Sequence, residues 1–262
     1  MSGFIIALCI VQGIGEFLPI SSSTHLYLLS VVFKQPPTSL EWEVALHLGT
    51  LIAVVAYFWK DLIAMTMACF RAVIYPCHAL KDSSFLKAFY IVMATVPAMA
   101  VGYGIKKSGI HFESVKLMGA FSILFGILLY CADKYGKVIP GTITGTQAIG
   151  IGLAQVLAFL PAVSRSGICV TAGRLLGSGR VEAMRFAFLL SIPTVLGAVV
   201  LTGYDALQQN IAVDFTILVQ AITLTSLFGL VSIRTVLWYL GRHGFSVFAV
   251  YRIILGVILF FV

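Results

Sequence analysis

Arg165 stands between two serines in the stretch Pro161-Ala162-Val163-Ser164-Arg165-Ser166-Gly167, directly after an apolar run. An arginine left facing lipid costs about 2.5–3.5 kcal/mol, so it requires an anionic partner. A guanidinium binds phosphate oxygens bidentately. Ser164 and Ser166 add hydroxyls, and a helix starting near Gly167 would add free backbone N–H groups and a positive dipole end. A second cluster lies near the N-terminus: Gln12 and Glu16, then Ser21-Ser22-Ser23-Thr24-His25. Gln12 and Glu16 are four apart and share a helix face. Ser21 or Ser22 can cap the following helix, but capping does not use all four hydroxyls and a histidine. Two such helix starts facing each other would hold a polyanion such as a diphosphate. Glu16 beside phosphates is repelled unless a divalent cation (Mg or Ca) bridges them, Arg165 pairs with it, or it is protonated. Gln12 can ligate only as a neutral oxygen. His25 suits an acid–base or phosphoryl-acceptor role, and Ser22 suits a nucleophile activated by His25 or Glu16. Water is the remaining nucleophile.

The elements that must position these groups are two broken apolar segments, residues 3–33 and 143–177. Each carries Phe-Leu-Pro, a hydroxyl-rich turn and a second apolar run; Pro19 and Pro161 lie 142 residues apart. Each half-segment is shorter than the roughly 20 residues of a spanning helix. Interrupted segments at matching places in two halves are the mark of a repeat-built membrane protein and of its site. Such irregular backbone must line a wet cavity or be buried in protein, so the turns should face inward. Spanning helices are expected at Val44–Trp59, Leu62–Tyr75, Ala88–Ile105, Leu117–Cys131, Ala183–Gly203, Phe215–Ile233 and Phe245–Val262. Pro97 and Pro193 should kink theirs. His47 either lines the cavity or bonds a neighbouring helix, the second reading being preferred, and part of the cluster Arg174, Arg180 and Arg185 is expected to form a positive rim. Arg252 is an intramembrane cation without an evident task.

Composition agrees. Of 262 residues, 60% are hydrophobic, with 17 Lys and Arg and 10 Asp and Glu. That is too little charge to cover a soluble domain of this length, which excludes a soluble enzyme, a disordered chain and a nucleic-acid binder. The net charge of +7 fits cytoplasmic loops beside anionic lipid. The chain is therefore expected to be one integral membrane domain, residues 1–262, all-α and polytopic. Asp205–Asp214 reads as non-cytoplasmic; Arg71–Lys87 and Arg234–Arg242 read as cytoplasmic, while Lys106, Lys107 and Lys116 fit a simple alternation poorly. The cysteines Cys9, Cys69, Cys77, Cys131 and Cys169 form no metal or disulfide pattern. The first segment lacks the basic start of a signal peptide, and Met1 is taken as the true start.

The run Gln12 to His25 together with Pro161-Ala-Val-Ser-Arg-Ser-Gly167 resembles the undecaprenyl-diphosphate phosphatase family, the bacitracin-resistance proteins. The resemblance extends over nearly the whole chain, through Leu46-His-Leu-Gly49, Phe186-Ala-Phe-Leu-Leu190 and Tyr251-Arg252. It implies about six spanning helices and two re-entrant helix pairs in inverted-topology repeats. It also implies hydrolysis of a C55 prenyl diphosphate with a divalent cation, at a site open to the periplasm or outer face of the bacterial inner membrane. Bacitracin resistance and recycling of the cell-wall lipid carrier follow. By similarity Glu16 and Gln12 fall on the acidic, metal-holding motif. Ser22 and His25 fall on the nucleophile and base, and Arg165 with Ser164, Ser166 and Gly167 on the diphosphate motif. Ser21, Ser23 and Thr24 complete the expected substrate-binding set. Membrane lipids are the expected surroundings, and a homodimer is compatible with the resemblance. Three positions depart from the family: Ala162 replaces a glycine, Cys169 a threonine and Arg185 a glutamate. If the glycine serves a positive φ, alanine should perturb the turn. The departures leave room for a paralogue with altered activity.

Two other functions compete. A lipid flippase would share the repeats and broken helices but release no phosphate. A phosphatase of the phosphatidic-acid type uses two histidines and an aspartate in spaced motifs, which the residues after Arg165 do not supply.

Overall fold

The computed structural model describes residues 1–36, 39–109, 114–208 and 214–261. Their regular elements are all helices, with no strand among the described residues. In order the helices are α1 (Gly3–Gly15), α2 (Ser22–Phe33), α3 (Leu40–Tyr57), α4 (Trp59–Ile74), the short α5 (Pro76–Ala79), α6 (Ser83–Ser108) and α7 (Val115–Tyr135). Then follow α8 (Gly145–Gln155), extended by a 3-10 turn over Val156–Phe159, α9 (Arg165–Leu175), α10 (Arg180–Gln208), α11 (Phe215–Leu240) and α12 (Ser246–Ile258).

Five of these, α3, α6, α7, α10 and α11, are long and apolar enough to cross a membrane. The chain is a multi-pass, all-α membrane protein. Between 22% and 39% of each such stretch is buried in protein, and large apolar side chains such as Val92, Leu227 and Val231 point outward, where lipid is the solvent. The sequence predicted seven spans. Leu62–Tyr75 falls on α4, which has 16 residues and carries Lys60, Asp61 and Arg71. Phe245–Val262 falls on α12, with 13 helical residues. Both are short of a full crossing by themselves.

The broken segments are as the sequence indicates: α1 and α2 pack together around one turn, α8 and α9 around the other. Helix α1 lies against α11, and α8 against α6. Glycines permit both approaches. A Cβ on Gly13 would fall 2.8 Å from Thr225 O, and one on Gly152 would fall 2.5 Å from Ala94 O. Cross-helix hydroxyls add to the first contact, Ser232 Oγ donating to Ile14 O at 3.1 Å. Helices α3 and α10 pack on each other, as do α7 and α12. Phe17, in the first turn, is buried edge-on against Phe188 at 5.4 Å. That contact seats the first turn on α10. Pro97 and Pro193 lie inside the unbroken helices α6 and α10.

Candidate active site

The two turns share an uncommon backbone. Ser21 caps α2 at φ 70° and Ser164 caps α9 at φ 64°, both in the left-handed region that non-glycine residues rarely adopt. Residues held this way persist only where surrounding contacts determine them, and they cluster at functional sites. Ser164 Oγ accepts the Gly167 N–H at 3.2 Å. Ser21 caps no backbone N–H; its hydroxyl pairs with Ser23 Oγ at 3.1 Å and Thr24 Oγ1 at 3.0 Å.

The turns are tied to each other. Ser166 Oγ donates to Leu18 O at 3.1 Å. Arg252, buried on α12, donates through Nη2 to Ala162 O at 2.9 Å and through Nη1 to Pro19 O at 3.4 Å. One guanidinium thus bridges a carbonyl of each turn. A Cβ on Gly167 would lie 2.8 Å from Arg252 Nη1, which accounts for glycine at that position.

Glu16 is where the two halves meet. Its Oε1 accepts from Arg165 Nη2 at 2.5 Å. Its Oε2 accepts from Ser22 Oγ at 2.6 Å and from Gln12 Nε2 at 3.2 Å. Such purely accepting behaviour is that of an ionised carboxylate. Arg165 Nη1 donates to Thr194 Oγ1 at 3.2 Å on α10. These groups face a cavity of about 320 Å³ lined by Glu16, Ser22, Ser23, His47, Gln155, Arg165 and Thr194, among others. The start of α2 and the turn before α9 both border it, so two positive helix ends and one guanidinium face one space.

Of the residues singled out from sequence, Glu16, Ser21, Ser22, Ser23, Ser164 and Arg165 line this cavity. Gln12 is buried beside Glu16 and lines an adjoining cavity of about 260 Å³. Thr24 and Gly167 hold their own turns by internal bonds, and Ser166 ties the two turns together. His25 lies elsewhere: Nδ1 bonds Ser21 O at 2.7 Å, Nε2 bonds Tyr251 OH at 2.6 Å, and the ring stacks on Tyr251. Ser22 therefore has Glu16, not His25, as its hydrogen-bond acceptor.

Three more residues line the cavity. His47 meets both expectations for it: its ring stands 3.3 Å from Gln12 Nε2 on the neighbouring α1, and it lines both cavities. Thr194, one position past Pro193, carried no motif. Gln155 was visible in the repeat, but nothing marked its buried, unpartnered Nε2. Of the arginine cluster, Arg174 does not lie on a rim. Arg174 is buried and pairs with Asp133 at 3.3 Å, and Arg180 pairs with the same carboxylate at 2.6 Å. Asp133 further accepts the Phe245 N–H at 2.9 Å. Asp133 and Arg174 thus form a buried ionic joint between α7, α9 and the ends of α10 and α12, with Arg180 at its exposed edge. Lys106 pairs with Asp205 at 2.8 Å, which removes one of the lysines that fitted the charge alternation poorly.

The three departures now have surroundings. Ala162 has φ 60°, the positive angle that a glycine would adopt freely. Cys169 is buried with its Sγ 3.8 Å from Gln155 Oε1, behind the cavity wall. Arg185 donates to Asp61 at 3.0 Å and lies over the Phe58 ring.

Among the described residues no three His, Cys, Asp or Glu side chains cluster closely enough to hold a metal on their own. Gln12 Oε1 is, however, buried without a partner beside Glu16. One carboxylate and one neutral oxygen suit Mg²⁺, which characteristically takes one or two carboxylates and completes its shell with waters and substrate phosphates.

Residues 5–258 match the family model described as bacitracin resistance protein BacA. The chain is 36% identical to an undecaprenyl-diphosphatase of Pelagibacter ubique, over 98% of this chain and 96% of that protein. It is 39% identical to one of Alcanivorax borkumensis, over 98% and 97% respectively. A third, from Pelotomaculum thermopropionicum, is 38% identical over 96% and 92%.

Proposed function

The chain belongs to the BacA family of bacitracin resistance proteins, and on that premise we propose that it hydrolyses undecaprenyl diphosphate to undecaprenyl phosphate and inorganic phosphate. This regenerates lipid carrier for cell-wall synthesis and opposes bacitracin. The observation that carries the reading is the arrangement at Glu16: it accepts from a hydroxyl nucleophile at 2.6 Å and from a guanidinium at 2.5 Å, and one cavity lies in front of both.

Ser22 Oγ attacks the terminal phosphorus and gives its proton to Glu16. The bond from that phosphorus to the bridging oxygen breaks, and undecaprenyl phosphate leaves. Glu16 passes that proton to the departing phosphate oxygen and is a carboxylate again. Water then attacks the phosphoserine phosphorus. Glu16 takes the water's proton and returns it to Ser22 Oγ as the serine–phosphorus bond breaks, and inorganic phosphate departs. Nucleophile and base within hydrogen-bond reach are the signature of such covalent catalysis. Arg165 exchanges Glu16 for phosphate oxygens and, with Ser164, Ser23 and the helix ends, opposes the charge that grows in the transition state. A divalent cation held by Glu16 and Gln12 Oε1 would neutralise phosphate charge when bound. His25 supports the Ser21 carbonyl and so the turn that presents Ser22.

We infer that α1, α2, α3, α6 and α7 correspond to α8, α9, α10, α11 and α12 as inverted repeats, each with a re-entrant pair. The support is the packing: exchanging the two sets turns the α1–α11 contact into α8–α6 and leaves the α3–α10 and α7–α12 contacts unchanged. We further place the protein in the bacterial inner membrane with the cavity toward the outer face. Ala98 and Ala198 line it, and each lies about 10–12 Å, at 1.5 Å per residue, from the helix ends joined by Lys106 and Asp205. The α10 end, at Asp205, begins the segment read as non-cytoplasmic from its acids, and the Lys106–Asp205 pair puts the α6 end on the same side.

The test is phosphate release from C55 diphosphate by purified, reconstituted protein. Wild type should release phosphate, and Arg165→Ala and Glu16→Ala should not. Unchanged release in both variants, or prenyl phosphate crossing liposomes with no release, contradicts the reading.

A further inference from the structure

Among the described residues the His47 ring has one hydrogen-bond neighbour, Gln12 Nε2, 3.3 Å from its Nδ1. Which of the two nitrogens carries hydrogen follows from the groups behind Gln12. Glu16 Oε2 stands 3.2 Å from the same Nε2 and, as a carboxylate paired with Arg165, can only accept. The amide therefore has its nitrogen, not its oxygen, on that side. The second N–H of the amide is then the one that faces His47, so Nδ1 must accept. A neutral imidazole that accepts on Nδ1 carries its hydrogen on Nε2. The run Arg165, Glu16, Gln12, His47 thus fixes one tautomer, and it leaves Gln12 Oε1 free. His47 also lines both the main cavity, with Ser22 and Arg165, and the adjoining one, with Ser22 and Ser23.

We propose that His47 donates its Nε2–H to a phosphate oxygen of the bound diphosphate, as a substrate-binding residue on α3. The proposal rests on the phosphatase reading. The two turns supply donors from α2 and from the α8–α9 side. His47 supplies one from a spanning helix, outside both motifs. No proton moves: the ring stays neutral and lends a hydrogen bond to an anion.

The experiment is ¹⁵N NMR of the purified protein labelled at histidine, with the His47 signals identified by their loss in His47→Gln. The expected wild-type spectrum has a pyridine-type Nδ1 and a protonated Nε2, and adding methylene diphosphonate shifts Nε2. Gln12→Leu should let the ring populate both tautomers. In parallel, His47→Leu should raise KM for the prenyl diphosphate about 10–100-fold, the scale of one hydrogen bond to a charged group, with kcat within about threefold. His47→Gln, which keeps an N–H donor, should recover most of the loss. A protonated Nδ1 in wild type, no response to the diphosphonate, or an unchanged KM in His47→Leu overturns the proposal. If wild type releases no phosphate yet Nε2 still responds to the diphosphonate, the phosphatase reading fails and the anion contact stands.

Discussion

Glu16 and Arg165 are 149 positions apart and meet at 2.5 Å, side chains 9% and 19% exposed. Each belongs to a different broken segment, so the pair closes the site across the two halves of the molecule. Removing one partner strands the other. Fully buried pairs lose about 3–5 kcal/mol when broken this way, and the residual exposure of Arg165 places this pair at or below the lower end. Glu16→Gln and Arg165→Met should each lower thermal stability, while the double variant loses less than the sum. Additive losses in denaturation of the purified proteins would show that the pair is uncoupled.

Arg252 acts on both turns from outside the motifs. Arg252→Met removes the donors to Pro19 O and Ala162 O and opens space beside Gly167. Both stability and turnover should fall, turnover by about tenfold or more, since roughly 1 Å of misplacement costs about 100-fold in well-oriented reactions. Arg252→Lys, with one compact ammonium, should bridge poorly and recover little. Full phosphate release by Arg252→Met would remove this role.

Ala162 holds φ 60° where the family pattern has glycine. The left-handed conformation costs a non-glycine residue about 1–2 kcal/mol. Ala162→Gly should therefore raise the melting temperature, partly offset by the greater freedom of glycine in the unfolded chain. A lower melting temperature would mean that the methyl group packs better than the angle costs.

Arg185 is matched to Asp61. Restoring the family residue with Arg185→Glu sets two carboxylates together and should lower stability by up to about 1 kcal/mol, as expected for a partly exposed pair. Adding Asp61→Lys should return part of it, limited by Lys87, which also pairs with Asp61 at 3.6 Å. A stable Arg185→Glu single variant would show that the two positions are independent.

The parts legible in the sequence are those that break a rule of the membrane. A proline followed by hydroxyls, or an arginine within apolar sequence, has no place in a simple span. Glu16, Ser22 and Arg165 therefore stood out, as did the two turns that join them. What stayed hidden depends on which way a side chain faces. His25 sits inside the motif but turns toward Tyr251, whereas His47 sits in an ordinary span yet lines the cavity. Thr194 and Gln155 are unremarkable until α10 and α8 pack around the site. Arg174 resembled a loop charge because its partner, Asp133, lies 41 positions away. Two expected spans differ for different reasons: α4 is short and carries Lys60, Asp61 and Arg71, while at α12 the apolar stretch is longer than the 13-residue helix.

The chemistry turns on Ser22 attacking with Glu16 as its acceptor. The most direct test is rapid quenching of the purified enzyme with C55 diphosphate labelled at the terminal phosphorus, followed by mapping of labelled peptides. Label should accumulate on the peptide containing Ser22, and Ser22→Ala should carry no label and release no phosphate. Steady phosphate release from an unlabelled enzyme, retained in Ser22→Ala, would contradict it.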